Sequence, residues 1–184
     1  MERKEAIQYI TLLLGGTMVG VNSILSGCKQ EDKKLFSAED IAYLDEIADT
    51  ILPETATPGA KAAKVGSFMA VMVNDCYEEK DQAIFRKGMN TINDLSNTKY
   101  GTGFIKLAPD QRHELLLQLD AEQKQYTKNK KEEDPAHYFR MMKELTLFGY
   151  FTSQPGVTKA KRYMPVPGKY IGCVDYHKGE KAIV

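Results

Sequence analysis

Apolar residues recur at helical spacing in five separate stretches of this chain, each bounded by a cap, a proline or a charged run. In the first, Ser37 and Asp40 stand at the spacing of a capping box. Ile41, Leu44, Ile47, Ala48, Ile51 and Leu52 then share one face, and Pro53 stops the helix. A second stretch over about 62–77 carries Val65, Phe68, Met69, Met72, Val73 and Cys76. A third over about 81–98 carries Ile84, Phe85, Met89, Ile92 and Leu95. Pro109 fits the first turn of a fourth, with Leu115, Leu116 and Leu119 inward, which fades near Lys128. Pro135 likewise predicts the start of a fifth, with Tyr138, Met141, Met142, Leu145 and Phe148 on one side. The pattern predicts an all-α fold, one domain of about five helices. From Gln154 the periodicity stops. Pro155-Gly156 and Pro165-Val166-Pro167-Gly168, interleaved with Tyr163, Tyr170 and Tyr176, predict an extended Pro/Gly/Tyr-rich tail laid on the helices or on a partner.

Ahead of the first helix the pattern is of another kind. Arg3 and Lys4 precede an apolar run over 7–25, broken by polar and small residues, that ends in Leu25-Ser26-Gly27-Cys28. A spanning helix needs about 20 mostly apolar residues. A charged start, a short apolar middle and a small-residue end are instead the marks of a removable export signal. Ser26 and Gly27 let a peptidase approach the backbone, and the Cys28 thiol would take a lipid, as in a bacterial lipoprotein. The expected division is a signal peptide over 1–27, a lipidated tether over 28–36 and a helical domain over 37–184. An uncleaved anchor helix is the competing reading. Arg3-Lys4 lacks the second arginine of a twin-arginine signal, so the export route stays open.

Past the signal, 23 basic residues face 23 acidic ones. A nucleic-acid binder shows a basic excess on one face. Here the basic run at Lys128 to Lys131 is followed at once by Glu132-Glu133-Asp134, which reads as a solvated linker, and no nucleic-acid partner is expected. Lipidation would consume Cys28 and leave Cys76 and Cys173, either paired outside the cytoplasm or free, with Cys76 buried on its helix.

The usual catalytic patterns are missing from the sequence: there is no glycine-rich phosphate loop, no nucleophile elbow and no haem-attachment motif. His113, His137 and His177 have no partner at metal-ligand spacing, so no metal and no cofactor is expected on this chain. Asp45 and Asp49 are like charges at i,i+4, which weakens a helix slightly and so answers to something else; Asp49 could cap a neighbouring backbone or meet a partner's arginine, with plain solvent exposure the competing reading.

Two blocks then carry a resemblance. Asp49-Thr50-Ile51-Leu52-Pro53 with Thr57-Pro58-Gly59-Ala60-Lys61 resembles the N-terminal signature of the gluconate 2-dehydrogenase subunit 3 family. Thr146 to Ser153, then Gly156, Ala160 and Tyr163, then Pro165 to Tyr170 with Gly172-Cys173, is similar to the way that family closes. The resemblance implies a small non-catalytic subunit that binds, stabilises and helps export or anchor a large FAD-dependent dehydrogenase of the glucose-methanol-choline type, acting on sugars, sugar acids or polyols. A cytochrome c subunit with haem c commonly accompanies it. Cys28 adds a membrane anchor in the cell envelope, facing the periplasm. The expected partner surface comprises Asp49, Pro53, Pro58, Gly59, Phe148, Tyr150, Phe151, Tyr163, Pro167 and Tyr170, since rigid loops lose little entropy on binding and aromatics concentrate interface energy. Against this stands a core role for Phe148 and Phe151, with Tyr163 and Tyr170 pinning the tail. A self-standing envelope lipoprotein that binds a ligand or scaffolds is the alternative function.

Overall fold

The computed structural model of the chain describes residues 35–166, 168–169, 172–175 and 177–183. These residues form helices α1 (Ala38–Ile51), α2 (Val65–Cys76), α3 (Glu79–Tyr100), α4 (Pro109–Asn129) and α5 (Tyr138–Thr152), with a 3-10 turn at Phe104–Lys106 and a wide π-type turn at Gly156–Ala160. The all-α expectation holds. Among the described residues there is no named strand, only an isolated bridge between Arg162 and Ile183.

Local chemistry explains most of the helix ends. The Asp40 backbone N–H donates to Ser37 Oγ at 3.1 Å while the Ser37 N–H donates to Asp40 Oδ2 at 2.9 Å, so both halves of the α1 capping box form. Pro109 occupies the first turn of α4, where its missing N–H is no loss. The fifth helix starts later than Pro135 suggested. His137 is its N-cap, and the Nδ1 atom accepts the Phe139 N–H at 3.2 Å. Proline fits the first turn of a helix but does not fix where it begins; here a side-chain acceptor two residues on does. Helix α2 likewise begins at Val65 rather than near Ala62, because Lys64 takes a left-handed φ of 56° that breaks the turn before it.

Packing reaches back to Leu35, ahead of the boundary placed at Ser37. The Leu35 N–H donates to Asn74 Oδ1 at 3.3 Å, Arg86 bonds the Leu35 carbonyl, and buried Phe36 meets Phe85 edge to face at 6.0 Å. Two apolar residues at the end of a charged stretch are too few to show periodicity, yet they close one end of the core.

Helix α5 is the centre of the bundle and touches each of the other four helices. Met141, Met142, Leu145 and Tyr150 of α5 lie in one core with Leu44 and Ile47 of α1, Met69 and Val73 of α2, Phe85 and Ile92 of α3 and Leu115 and Leu119 of α4. The methionine and aromatic stripe is therefore core, except at Phe148, whose ring is 53 % exposed. On the α4 side Asp120 binds Lys124 at 2.7 Å and Lys143 of α5 at 2.6 Å. Burial works to raise this carboxyl, but the two ammonium groups and Gln123 prevail and hold it down to about 2. Among the described residues no helix is long and apolar enough to cross a membrane.

His137 makes the fold sensitive to acid. Burial lowers its pKa from the ordinary value, with Glu122 opposing, so the folded chain keeps a neutral ring whose Nδ1 is an acceptor. Because the unfolded chain takes up the proton first, this contribution to stability is complete above about pH 6.5 and is lost as pH falls through the lower folded value. Thermal melts should show His137→Ala destabilised by about 1 kcal/mol at neutral pH. His137→Asn, which caps without titrating, should flatten the loss of stability between neutral and mildly acidic pH.

Candidate functional site

The two sequence blocks that stand apart along the chain meet in space. Helix α1 ends at Ile51, and the Leu52 N–H still donates to Ala48 O at 2.9 Å before Pro53 stops the ladder. The chain then makes a closed loop. The Ala60 N–H returns to Leu52 O at 2.9 Å, the Thr55 N–H donates to Thr57 O at 3.0 Å, and the Val65 N–H donates to Ala60 O at 3.2 Å as α2 begins. Tyr150, buried on α5, donates its hydroxyl proton to Pro58 O at 2.6 Å, across 92 positions of sequence. That bond fastens the last helix to the loop between the first two.

Close backbone approach lets the joint form. A Cβ on Gly66 would lie 2.6 Å from Ile41 O and 2.7 Å from Asp45 N, so α1 and α2 touch backbone to backbone. A Cβ on Gly149 would lie 2.6 Å from the Phe68 ring, where α2 meets α5. Gly59 is held as tightly, with its would-be Cβ 2.6 Å from Glu54 N and 2.9 Å from Asp49 Oδ1.

The acidic residues of α1 serve this joint. Helix α2 has no side-chain cap of its own; instead Asp45 of α1 accepts the Gly66 N–H at 2.8 Å and places a carboxylate at the positive end of the α2 dipole. Burial raises the pKa of Asp45, with the Gly66 bond and Lys61 acting the other way. Next along the helix, Glu46 pairs with both Lys61 of the loop and Arg112 of α4, and Arg112 also bonds Ile105 O and lies over the Phe104 ring at 5.7 Å. Burial pushes the Glu46 carboxyl up, but the two cations outweigh it and hold the pKa below its ordinary value. Periodicity missed Glu46 and Arg112, whose partners are 66 positions apart. The visible trace was the run Asp45-Glu46 beside an apolar face and Lys61 inside the first block.

The ten expected interface residues separate. Tyr150 and Gly59 are buried in the joint, with Asp49 and Pro58 half-buried beside them. Pro53 is exposed at the loop's start, and Phe148 is exposed with its ring edge against Phe68 at 5.7 Å. Val71, one turn further along α2 than Phe68, is exposed too. Phe151 is half-buried, edge-on to Tyr150 at 5.2 Å, with the Lys161 ammonium 4.9 Å from its ring centre. Tyr163 is exposed and does not pin the tail. Pro167, Tyr170 and Cys28 lie outside the described residues. Cys76 and Cys173 are exposed free thiols; Cys76 ends α2 on its outer side and is not buried there.

A surface cleft of about 390 Å³ between α4 and α5 is lined by Lys124, Lys143 and Arg140, each paired with Asp120 or Glu144. Among the described residues no three His, Cys, Asp or Glu side chains gather as a metal site requires. His113 and His177 stand exposed.

A family model for gluconate 2-dehydrogenase subunit 3 matches residues 38–168, a span that includes α1 to α5, the first block and the second block as far as Gly168. No curated protein and no solved structure matches the chain.

Substitutions at the joint should rank by what they strike. Gly66→Ala drives a methyl into backbone and should cost about 3 kcal/mol in chemical denaturation. Gly149→Ala meets a side chain that can swing and should cost less. Tyr150→Phe keeps the packing but strands the Pro58 carbonyl, for a loss of about 1 to 2 kcal/mol. Equal losses at Gly66 and Gly149 would refute the backbone contact.

Proposed function

Because the chain belongs to the gluconate 2-dehydrogenase subunit 3 family, we propose that it is the small, non-catalytic subunit of an exported FAD-dependent dehydrogenase that oxidises sugars, sugar acids or polyols. It binds and stabilises the large glucose-methanol-choline type subunit, which holds the FAD, and a cytochrome c subunit with haem c takes the electrons onward. The observation that carries this reading is the family match across the whole joint, from the end of α1 to the turn after α5.

The geometry suits such a role. A loop closed by its own backbone bonds and fastened to α5 by Tyr150 is already ordered, so little entropy is lost when its exposed Pro53 meets another surface. Phe148 and Val71, each more than half exposed, add apolar area on the adjoining helices. Large exposed aromatics are the residues that concentrate binding energy at interfaces.

Leu25-Ser26-Gly27-Cys28 supports a place of action at the cell envelope. Cleavage before Cys28 and lipidation of its thiol would moor the subunit, and through it the dehydrogenase, at a membrane of the cell envelope facing the periplasm.

Purified alone, the chain should show no flavin or haem absorbance and no dehydrogenase activity. A tagged copy should co-purify a flavoprotein from the native host. Reduction of an electron acceptor by the isolated chain with a sugar would end the assignment. Cys28→Ser should abolish incorporation of labelled fatty acid and release the protein from washed membranes; retention of that variant when its partner is deleted would count against the anchor.

A further inference from the structure

The cleft between α4 and α5 stands out by its charge. Residues 35–158 hold fourteen basic and nineteen acidic side chains, so the helical body as a whole is acidic. Four of its cations, Lys124, Lys128, Arg140 and Lys143, nevertheless line this one cleft, against a single lining carboxylate, that of Glu144. A second acid, Asp120, serves both Lys124 at 2.7 Å and Lys143 at 2.6 Å. Glu144 takes only the Nε of Arg140, at 2.7 Å. Three of the cations therefore have a contact, yet two negative charges stand against four positive ones.

The surplus has a definite place. Among the described residues no carboxylate pairs with Lys128, and the two terminal nitrogens of Arg140 have no partner. Lys124 and Lys128 are like charges at i,i+4 on α4, which weakens a helix. The helix dipole favours a cation in the last turn of α4, but that accounts for Lys128 alone and not for Arg140 and Lys143, brought across from α5.

A second observation points into the same cleft. Thr127 lines it, and the Thr127 hydroxyl is shielded from solvent with no hydrogen-bond partner among the described residues. Buried hydroxyls are ordinarily satisfied, so an orphan in the wall of a cationic cleft marks a place for an acceptor supplied from outside. Leu147, 38 % exposed, forms the apolar edge, and exposed Phe148 beside it carries that edge toward Phe68 of α2. The cleft is open at the surface rather than enclosed. Small-molecule sites bury most of their ligand, so this shape suits side chains of another protein.

Resting on the subunit assignment above, we infer that the cleft seats an acidic segment of the dehydrogenase subunit. Lys128 and the free fork of Arg140 receive its carboxylates, the Thr127 hydroxyl donates its proton to one of them, and an apolar neighbour rests on Leu147 and Phe148. The cations supply attraction and register, and the apolar edge supplies residence time.

The test is the affinity of the full chain for the purified dehydrogenase subunit, measured by surface plasmon resonance at low and high salt. Lys128→Glu should weaken binding about tenfold at low salt, and the difference should shrink at high salt. Thr127→Val should weaken it about fivefold while melting at or above the parent temperature, because the lost hydroxyl has no partner within the chain. Lys106→Glu, ahead of the opposite end of α4, should bind like the parent. Parent affinity in Lys128→Glu or Thr127→Val, a lower melting temperature in Thr127→Val, or an equal loss in Lys106→Glu refutes the seat, while the subunit assignment stands as long as the parent binds the flavoprotein. If the parent binds no flavoprotein, both fall. Stabilisation by inorganic phosphate or binding to anionic phospholipid vesicles that Lys128→Glu abolishes, with dehydrogenase affinity intact, would give the cleft to a free anion or to the membrane and overturn the proposal.

Discussion

The bond from the Tyr150 hydroxyl to the Pro58 carbonyl is the contact through which the ends of this fold hold each other. Helix α5 comes last among the five, yet it must touch all four of the others. A bundle of this kind can pair neighbours in sequence through short turns, but the loop between α1 and α2 is fixed by a helix far down the chain. The reach is possible because Gly149, the residue before Tyr150, lets α5 settle against the Phe68 ring. Without that approach the hydroxyl would not meet the loop.

A second constraint lies under the first. Helix α2 begins with no cap of its own, and an uncapped helix start leaves backbone N–H groups without partners. Asp45 supplies one acceptor from α1, and Gly66 lets the two backbones come close enough for it. This gives Asp45 a purpose that its i,i+4 repulsion with Asp49 left unexplained: the loss along one helix is offset by a charge-assisted bond to the next. Glu46 extends the arrangement to Lys61 and Arg112, so the α1–α2 loop, α2 and α4 converge on one turn of α1.

What could be read from the sequence followed the range of the force concerned. Helical periodicity and caps act within a few residues, and the five helices with the Ser37 capping box were legible for that reason. The start of α5 was misplaced because Pro135 signals a first turn without excluding a later one, whereas His137 caps through a ring nitrogen that its residue type rarely advertises. The pair Glu46 and Arg112, and the bond from Tyr150 to Pro58, join residues whose spacing follows no period, so only folding brings them together. The two blocks do meet in the fold, but which of their residues turn inward and which face solvent was not legible residue by residue.

That last distinction follows from helical geometry. Consecutive residues on a helix point about 100° apart, so the block Phe148-Gly149-Tyr150-Phe151 cannot face one way. Gly149 and Tyr150 turn inward, Phe148 outward, and Phe151 sits at the boundary under Lys161. One short block therefore has two kinds of work, holding the loop in place and presenting an aromatic ring. The inward pair would matter to any partner only through the shape it imposes on the loop, while Phe148 would matter through contact. A loss of binding at Tyr150 should then be accompanied by a loss of stability, and a loss at Phe148 should not, which separates a support from a surface within four consecutive residues.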